Sequence, residues 1–170
     1  MDELKQVLDA LRWPGYRHVL LNPIPLYGLG FGLLALGAGL VARSRAAQMT
    51  ALLLLVVAGG VAWPVFETGE DAARQLAQKL DPEGRVWLHH HEERAEVGLW
   101  FFLVTGGLAL AALVTHWKWP NPARWLTLLT LVAALAALIV AGWVGHAGGQ
   151  VRHAEFRAGP PPVTDADHRH

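Results

Sequence analysis

Histidine is the residue type in this chain with the most chemical capacity. Nine are present among 170 residues, and imidazoles bind metal ions and haem iron and titrate near neutral pH. In the stretch HHHEERAEV, three histidines and three glutamates lead into an apolar segment. Histidines placed where apolar segments begin or end indicate a site at one face of a membrane-embedded structure.

Four long windows without charged residues alternate with charged segments. A bilayer core about 30 Å thick needs about 20 apolar helical residues, and a soluble protein rarely contains four such helices because each must be buried all round. Charged residues make up 16% of the chain, well below the roughly 25% of soluble domains. We therefore predict an all-α integral membrane protein with one four-helix transmembrane domain over residues 1–157. The predicted spans are residues 19–42, 49–66, 97–115 and 125–145.

Other features of the composition restrict the function. The eight tryptophans lie near the predicted span ends, where indole rings favour the headgroup zone. The sequence has no cysteine, which excludes disulfides and thiolate catalysis, and its net charge of zero gives no support for nucleic-acid binding. The spans contain no charged residue, which argues against an ion-coupled transporter. Without a nucleophile motif, a binding or electron-transfer role is favoured over an enzyme.

Four spans place both ends of the chain on one side of the membrane. This side, called side X, holds residues 1–18, the linker 67–96 and everything from residue 146. The opposite side, side Y, holds two short loops, RSRAAQ and HWKWPNPA, which carry basic residues and no acid. The positive-inside rule therefore predicts that side Y is cytoplasmic, and that the termini are periplasmic in a bacterial inner membrane.

The linker and the tail have patterns of their own. Thr68 and Asp71 resemble a capping box, and Asp81-Pro82 is a helix stop, so we predict a short extramembrane helix between spans 2 and 3. Residues 158–170 are rich in proline and polar side chains, and we predict that they are disordered.

Helical phase divides the histidines of side X. In the last helix, Gly142, His146, Gly149 and His153 are spaced to form one stripe. In the third, His91 leads a stripe of small residues and is predicted to point inward, whereas His89 points outward. At about 1.5 Å per residue, His18 and His146 lie at the membrane surface, and His91 and His153 lie about 10 Å further out.

These positions favour a b-type haem that carries electrons. Haem iron needs one or two imidazoles, and glycine leaves room for the ring. Arginine at the interface is suited to pair with propionates, and a b-type haem needs no cysteine. On this hypothesis Gly142, Gly149, Arg17, Arg94 and Arg152 contact the cofactor, and the axial pair is His18 with His146 or His91 with His153.

Two other functional classes stay open. A divalent metal ion is one, because His and Glu are metal ligands and His89 with Glu93 is spaced to chelate on a helix face; Glu92 and Glu155 are further candidate ligands. An accessory subunit without any cofactor is the other, in which glycine stripes pack against other membrane subunits. The bilayer is a partner in all three, and a redox partner on side X belongs to the haem hypothesis.

Four short motifs resemble the bacterial membrane family catalogued as domain of unknown function 2231. They are a histidine before NPIPL, then ETGEDA, HHHEERAE and GHAGGQVRH, which together cover about residues 17–157. The resemblance implies a compact four-helix membrane unit and an association with haem or redox chemistry. This chain departs from the pattern by having three histidines where the third span opens.

Overall fold

A computed structural model of the chain describes residues 2–160 and residue 162, and over them the chain is helical with short connections. A short amphipathic helix and a second short helix precede four long ones, and a single 3-10 turn follows. The helices are α1 (Asp2–Ala10), α2 (Pro14–Leu21), α3 (Pro23–Val41), α4 (Arg45–Ala77), α5 (Pro82–Lys118) and α6 (Pro120–Arg152), with the 3-10 turn at Ala154–Phe156.

The predicted all-α four-helix membrane bundle is confirmed. Four helical stretches are long and apolar enough to cross a membrane: Pro14–Val41, in which α2 runs into α3, then Arg45–Ala77, Pro82–Lys118 and Ala123–Arg152. Many of their large apolar side chains face outward, among them Leu34, Val132 and Ile139. Outward-facing apolar side chains on long helices are what lipid contact requires, so the protein is embedded in a bilayer.

The extramembrane helix takes a different form from the predicted one. The segment from Thr68 is continuous with the second span, because α4 runs unbroken to Ala77. Thr68 is not an N-cap: its hydroxyl lies within α4, 2.7 Å from the carbonyl oxygen of Pro64. The cap belongs instead to α5, where the Asp81 carboxylate accepts a hydrogen bond from the backbone N–H of Gly84 at 2.7 Å. Both central helices therefore extend beyond their apolar windows on side X.

The four long helices pack in the ring order α3, α4, α5, α6, with α6 also against α3, while α2 lies on α4. Leucines and alanines fill the interior, including Leu29, Leu36 and Leu55. Helices α4 and α5 approach most closely where Gly59 faces Gly106, since a Cβ built on Gly59 would lie 2.7 Å from the Cα of Gly106. Such close backbone contact is typical of membrane helices packed through small residues.

A second, smaller core lies at side X, where α4, α5 and α6 extend past the apolar spans. It contains Ala73, Trp87, Leu88 and Val151. Arg157 closes it: its Nε donates to the carbonyl of Gln150 at 2.9 Å and its guanidinium stacks over Trp87. The chain after α6 is thereby held against α5. The tail predicted to be disordered, residues 158–170, lies mostly outside the described residues, with His168 and His170.

Candidate functional site

A cavity of about 430 Å³ opens at the side X end of the bundle. This volume lies within the roughly 300–1,000 Å³ of small-molecule and cofactor pockets. Its inner part is apolar, with Phe66, Leu99 and Phe102 among the lining residues, and its outer part carries imidazole and charged side chains. The polar lining residues include His18, His91, Glu70, Glu92 and Arg152.

His18 reaches the cavity from α2 and rests on α4. Its Nδ1 lies 2.9 Å from the carbonyl oxygen of Val65. One helical turn later, Gly69 lies under the ring: a Cβ there would be 2.9 Å from Cε1 of His18. Any larger side chain at that position would displace the imidazole, so the glycine is what lets His18 approach α4.

His91 reaches the same cavity from α5 and rests on α6 in the same way. Its Nδ1 lies 3.2 Å from the carbonyl oxygen of Val144. Again the residue four positions after the valine is a glycine, Gly148. A Cβ at that position would lie 3.1 Å from Cε1 of His91. We call each such arrangement an imidazole seat. In a seat, a histidine donates to the carbonyl of a valine in a neighbouring helix and lies against the glycine four residues after that valine.

The two hydrogen bonds determine which ring nitrogen is free. A carbonyl oxygen can only accept, so each Nδ1 carries the proton and donates it. In a neutral imidazole the other nitrogen, Nε2, then keeps its lone pair. A ligating histidine is commonly held in this way, with its second nitrogen bonded to a backbone carbonyl that fixes the tautomer and the ring orientation. Both imidazoles are therefore prepared to act as ligands through Nε2.

The charged side chains at the cavity mouth carry both signs. Glu70 and Glu92 contribute carboxylates and Arg152 contributes a guanidinium, all lining the same opening. Glu70 also pairs with Arg74 at 3.8 Å, on the outer face of α4. The mouth therefore has a cation that can pair with an acidic group of a ligand, and it has two carboxylates beside that cation.

The structure does not bring together the histidine pairs predicted from depth. His18 and His91 share the cavity, whereas His146 and His153 are exposed and are not among its lining residues. His153 instead lies 3.1 Å from the carboxylate of Glu155. Helical phase explains the difference, because α6 faces the cavity through Val144 and Gly148. His146, two residues after Val144, points about 200° away at about 100° per residue.

Helical phase predicted the cavity-facing side of α5 correctly, whereas on α6 it did so only in part. His91 faces the cavity, and its predicted stripe continues inward through Ala95, Gly98 and Phe102. His89 points outward, as predicted, with more than half of its side chain exposed and its Nε2 3.4 Å from the carboxylate of Glu93.

The remaining predicted cofactor contacts are split between the cavity and the outer surface. Arg152 and Gly149 line the cavity, and the ring of Phe156 covers Gly149. Gly142 is exposed, with open space around it. Arg94 lies over the ring of Trp143 at 4.5 Å and donates to that residue's carbonyl, and the side chain of Arg17 does not line the cavity.

A metal site built from side chains alone is not present in the part of the chain that the structure describes. There, no group of three or more His, Asp or Glu side chains is arranged to hold an ion. Of the residues predicted as secondary ligands, His89, Glu92 and Glu93 line one shallow surface pocket beside the cavity, and His89 pairs with Glu93. Glu155 lies apart from them and pairs with His153.

Sequence reasoning missed the residues that support the two imidazoles. Val65 and Gly69 occur in VFETG, and Val144 and Gly148 occur in VGHAG. A valine followed four residues later by a glycine occurs at the side X end of both α4 and α6, and this repeat is a signal in the sequence. It becomes visible when the chain is divided into two helical hairpins, each with a histidine early in its first helix.

Comparisons with protein-family models, with curated proteins and with solved structures find no match for this chain. The resemblance to domain of unknown function 2231 stays a prediction that rests on the quoted motifs.

Proposed function

We propose that the protein binds a b-type haem in the side X cavity and carries electrons in the membrane, with His18 and His91 as the axial ligands. The observation that carries this proposal is that two imidazoles from different helices enter one cavity, each with Nδ1 on a backbone carbonyl. That arrangement leaves one lone pair on each ring for an iron atom.

The surroundings of the imidazoles support the same ligand. Glycines under both rings let the imidazoles lie close against α4 and α6, which fixes the ring positions. The apolar inner cavity suits the hydrophobic edge of a porphyrin, and with the porphyrin bound it would limit the access of water to the iron. Arg152 lines the mouth, where its guanidinium would pair with a propionate. Bound there, the haem would supply one-electron redox chemistry, and the protein would orient it and set its potential.

The sidedness is part of the proposal. The basic, acid-free loops of side Y favour the cytoplasm for that side, so the cavity would open toward the periplasm of a bacterial inner membrane. A redox partner would then dock on side X. Modification of single cysteines placed in the side Y loops, by a reagent that cannot cross the membrane, tests this orientation in intact cells.

Optical spectroscopy tests the haem proposal. The protein is expressed with haem supplied and purified in detergent, and a dithionite-reduced minus oxidised spectrum is recorded with a pyridine haemochrome assay. We expect stoichiometric haem with a low-spin, six-coordinate spectrum. The double variant His18→Ala, His91→Ala should lose it, while the matched double variant His146→Ala, His153→Ala should keep it.

A purified, folded protein without a Soret band would overturn this function. If that protein were isolated with other membrane subunits in fixed stoichiometry, the accessory-subunit hypothesis would replace it. Metal analysis of the same preparation then tests whether the two imidazoles hold a bare ion together with ligands supplied by solvent.

A further inference from the structure

The N-terminal helix α1 has a strongly apolar face that the bundle does not cover. Leu4, Val7 and Leu8 are 66%, 47% and 55% exposed and lie on one face of the helix. Leu11, in the turn after α1, continues that stripe and is half-buried. Their burial would stabilise the helix by contributions of about 25 cal/mol per Å² of apolar surface. Among the residues that the structure describes, none of the bundle buries Leu4, Val7 or Leu8.

The polar side chains of α1 occupy the opposite side. At about 100° per residue, Lys5, Gln6 and Asp9 lie away from the leucine stripe, and all three are exposed. A helix with one apolar and one polar face, too short to cross a bilayer, is the form that lies in the plane of a membrane interface.

The position of α1 relative to the first span restricts what can cover it. Only the turn Leu11–Trp13 separates it from α2, and three residues extend at most about 11 Å. Trp13 and Tyr16, both exposed, are of the types enriched at headgroup level. Beyond them the outward apolar surface continues through Val19 and Leu20 into the lipid-facing side of α3.

We propose that α1 is an interfacial helix that docks on the phospholipid surface of side X, with Leu4, Val7, Leu8 and Leu11 in the headgroup–acyl boundary. Its apolar face is continuous with the lipid-facing surface of the bundle, and its short connection keeps it at that depth. Docking there covers the stripe without requiring a second protein.

The charges of the segment indicate which kind of lipid surface it fits. It has three acids, Asp2, Glu3 and Asp9, and two bases, Lys5 and Arg12. Asp9 and Arg12 lie within 3.7 Å of each other. A helix attracted by anionic lipid carries an excess of Lys and Arg, which this one lacks. The apolar face therefore supplies the affinity, and a zwitterionic surface is sufficient.

Because the chain has no cysteine, single nitroxide labels can be placed without altering other sites. Variants Leu4→Cys, Val7→Cys and Leu8→Cys report the apolar face, and Lys5→Cys, Gln6→Cys and Asp9→Cys report the polar face. Each full-length labelled protein is placed in phosphatidylcholine nanodiscs, and its collision rates with oxygen and with a water-soluble nickel chelate are measured by electron paramagnetic resonance.

We expect the labels at positions 4, 7 and 8 to be shielded from the nickel chelate and accessible to oxygen, and those at 5, 6 and 9 to be accessible to the chelate. Replacing a third of the lipid by phosphatidylglycerol should leave this pattern unchanged. Accessibility of all six labels to the chelate would overturn the proposal. So would shielding of positions 4, 7 and 8 from both reagents, which would indicate protein contact, or a pattern that forms only with phosphatidylglycerol.

Discussion

The two imidazole seats are chemically alike but are supported differently. In each, a histidine donates through Nδ1 to a valine carbonyl of another helix. The imidazole lies against a glycine that follows this valine by four residues. The seats occupy equivalent places in two successive hairpins, α2–α3 with α4 and α5 with α6. The same local arrangement therefore occurs twice. The helices that carry and contact each histidine determine how firmly its imidazole is held.

His91 has the stronger support. It lies inside α5, a 37-residue helix that packs against α4 on one side and α6 on the other. His18 lies in α2, which has eight residues, none of them buried, and which packs mainly on α4. Displacing His91 would disturb two long interfaces, whereas displacing His18 would disturb chiefly the contact of α2 with α4. If both histidines bind haem iron as proposed, His91 would be the fixed ligand and His18 the exchangeable one.

Removing each imidazole in turn should have the largest effect and tests this ranking directly. We expect His91→Ala to lose nearly all bound haem, because the remaining imidazole belongs to the short helix α2, which has no buried residue. His18→Ala should retain a five-coordinate, high-spin haem on His91. Absorption and electron paramagnetic resonance spectra of the two purified variants distinguish these states. Equal loss in both variants, or a greater loss with His18→Ala, would show that the supports do not set the ligand strength.

Enlarging the glycines should have the next largest effect. A Cβ at Gly69 would lie 2.9 Å from His18 Cε1, and one at Gly148 would lie 3.1 Å from His91 Cε1. Overpacking costs typically about 1–3 kcal/mol, partly offset by the roughly 1 kcal/mol that alanine gains over glycine in a helix. We expect Gly69→Ala to lower the free energy of unfolding by about 1 kcal/mol, and Gly148→Ala by less.

Gly142→Ala is the matched control for both variants, because the space around Gly142 is open. It lies on α6 but away from the cavity, so the substitution should leave the free energy of unfolding unchanged or raise it. The measurement is unfolding in mixed micelles followed by circular dichroism. A loss in Gly142→Ala equal to that in Gly69→Ala would mean that contact with the imidazole is not the cause.

A hydroxyl distinguishes the two seats in a finer way. Three residues after Val65 stands Thr68, whose Oγ1 lies 2.7 Å from the carbonyl of Pro64 and 3.1 Å from that of Val65. Three residues after Val144 stands Ala147, which has no such group. The Val65 carbonyl is therefore shared between His18 and Thr68, whereas the Val144 carbonyl accepts from His91 without such a side-chain competitor.

Thr68→Ala makes the first seat resemble the second. We expect a loss of about 0.5–1.5 kcal/mol in the free energy of unfolding, the usual net value of one hydrogen bond, and a measurable coupling with His18→Ala in a double-mutant cycle. Thr105→Ala is the control: Thr105 is buried and makes the same bond within its helix, to Phe101, without a histidine nearby. The change in the free energy of unfolding caused by Thr105→Ala should be additive with that caused by His18→Ala. If Thr68→Ala were also additive with His18→Ala, His18 and Thr68 would not share the Val65 carbonyl.

Composition and periodicity were sufficient to predict the bundle, because a helix that is apolar over its full length has few environments open to it. They also placed His91 inside, since Ala95, Gly98 and Phe102 identify the inner face of α5. On α6 the same reasoning placed Gly149 and Arg152 at the cavity but misplaced Gly142, His146 and His153. Alanine and glycine occur on several faces of that helix, so small residues did not indicate which face is buried. The valine–glycine pairs mark where an imidazole can lie, but the pairing of each with its histidine depends on contacts between helices distant in sequence.

His146→Ala should have the smallest effect and tests the rotation of α6 about its axis. His146 is exposed and lies one residue from Gly145 and two from Gly148, so a rotation of α6 would exchange it with the cavity-facing side. In the orientation seen here, the substitution should change the free energy of unfolding by no more than about 0.5 kcal/mol and leave the haem spectrum unaltered. His91 would then keep Val144 and Gly148 as its seat. Loss of a haem-ligand band in this variant would instead place His146 in the cavity. That position requires α6 to turn by about 200°. Such a turn would remove Val144 and Gly148 from His91, while the seat of His18 on α4 would stay intact.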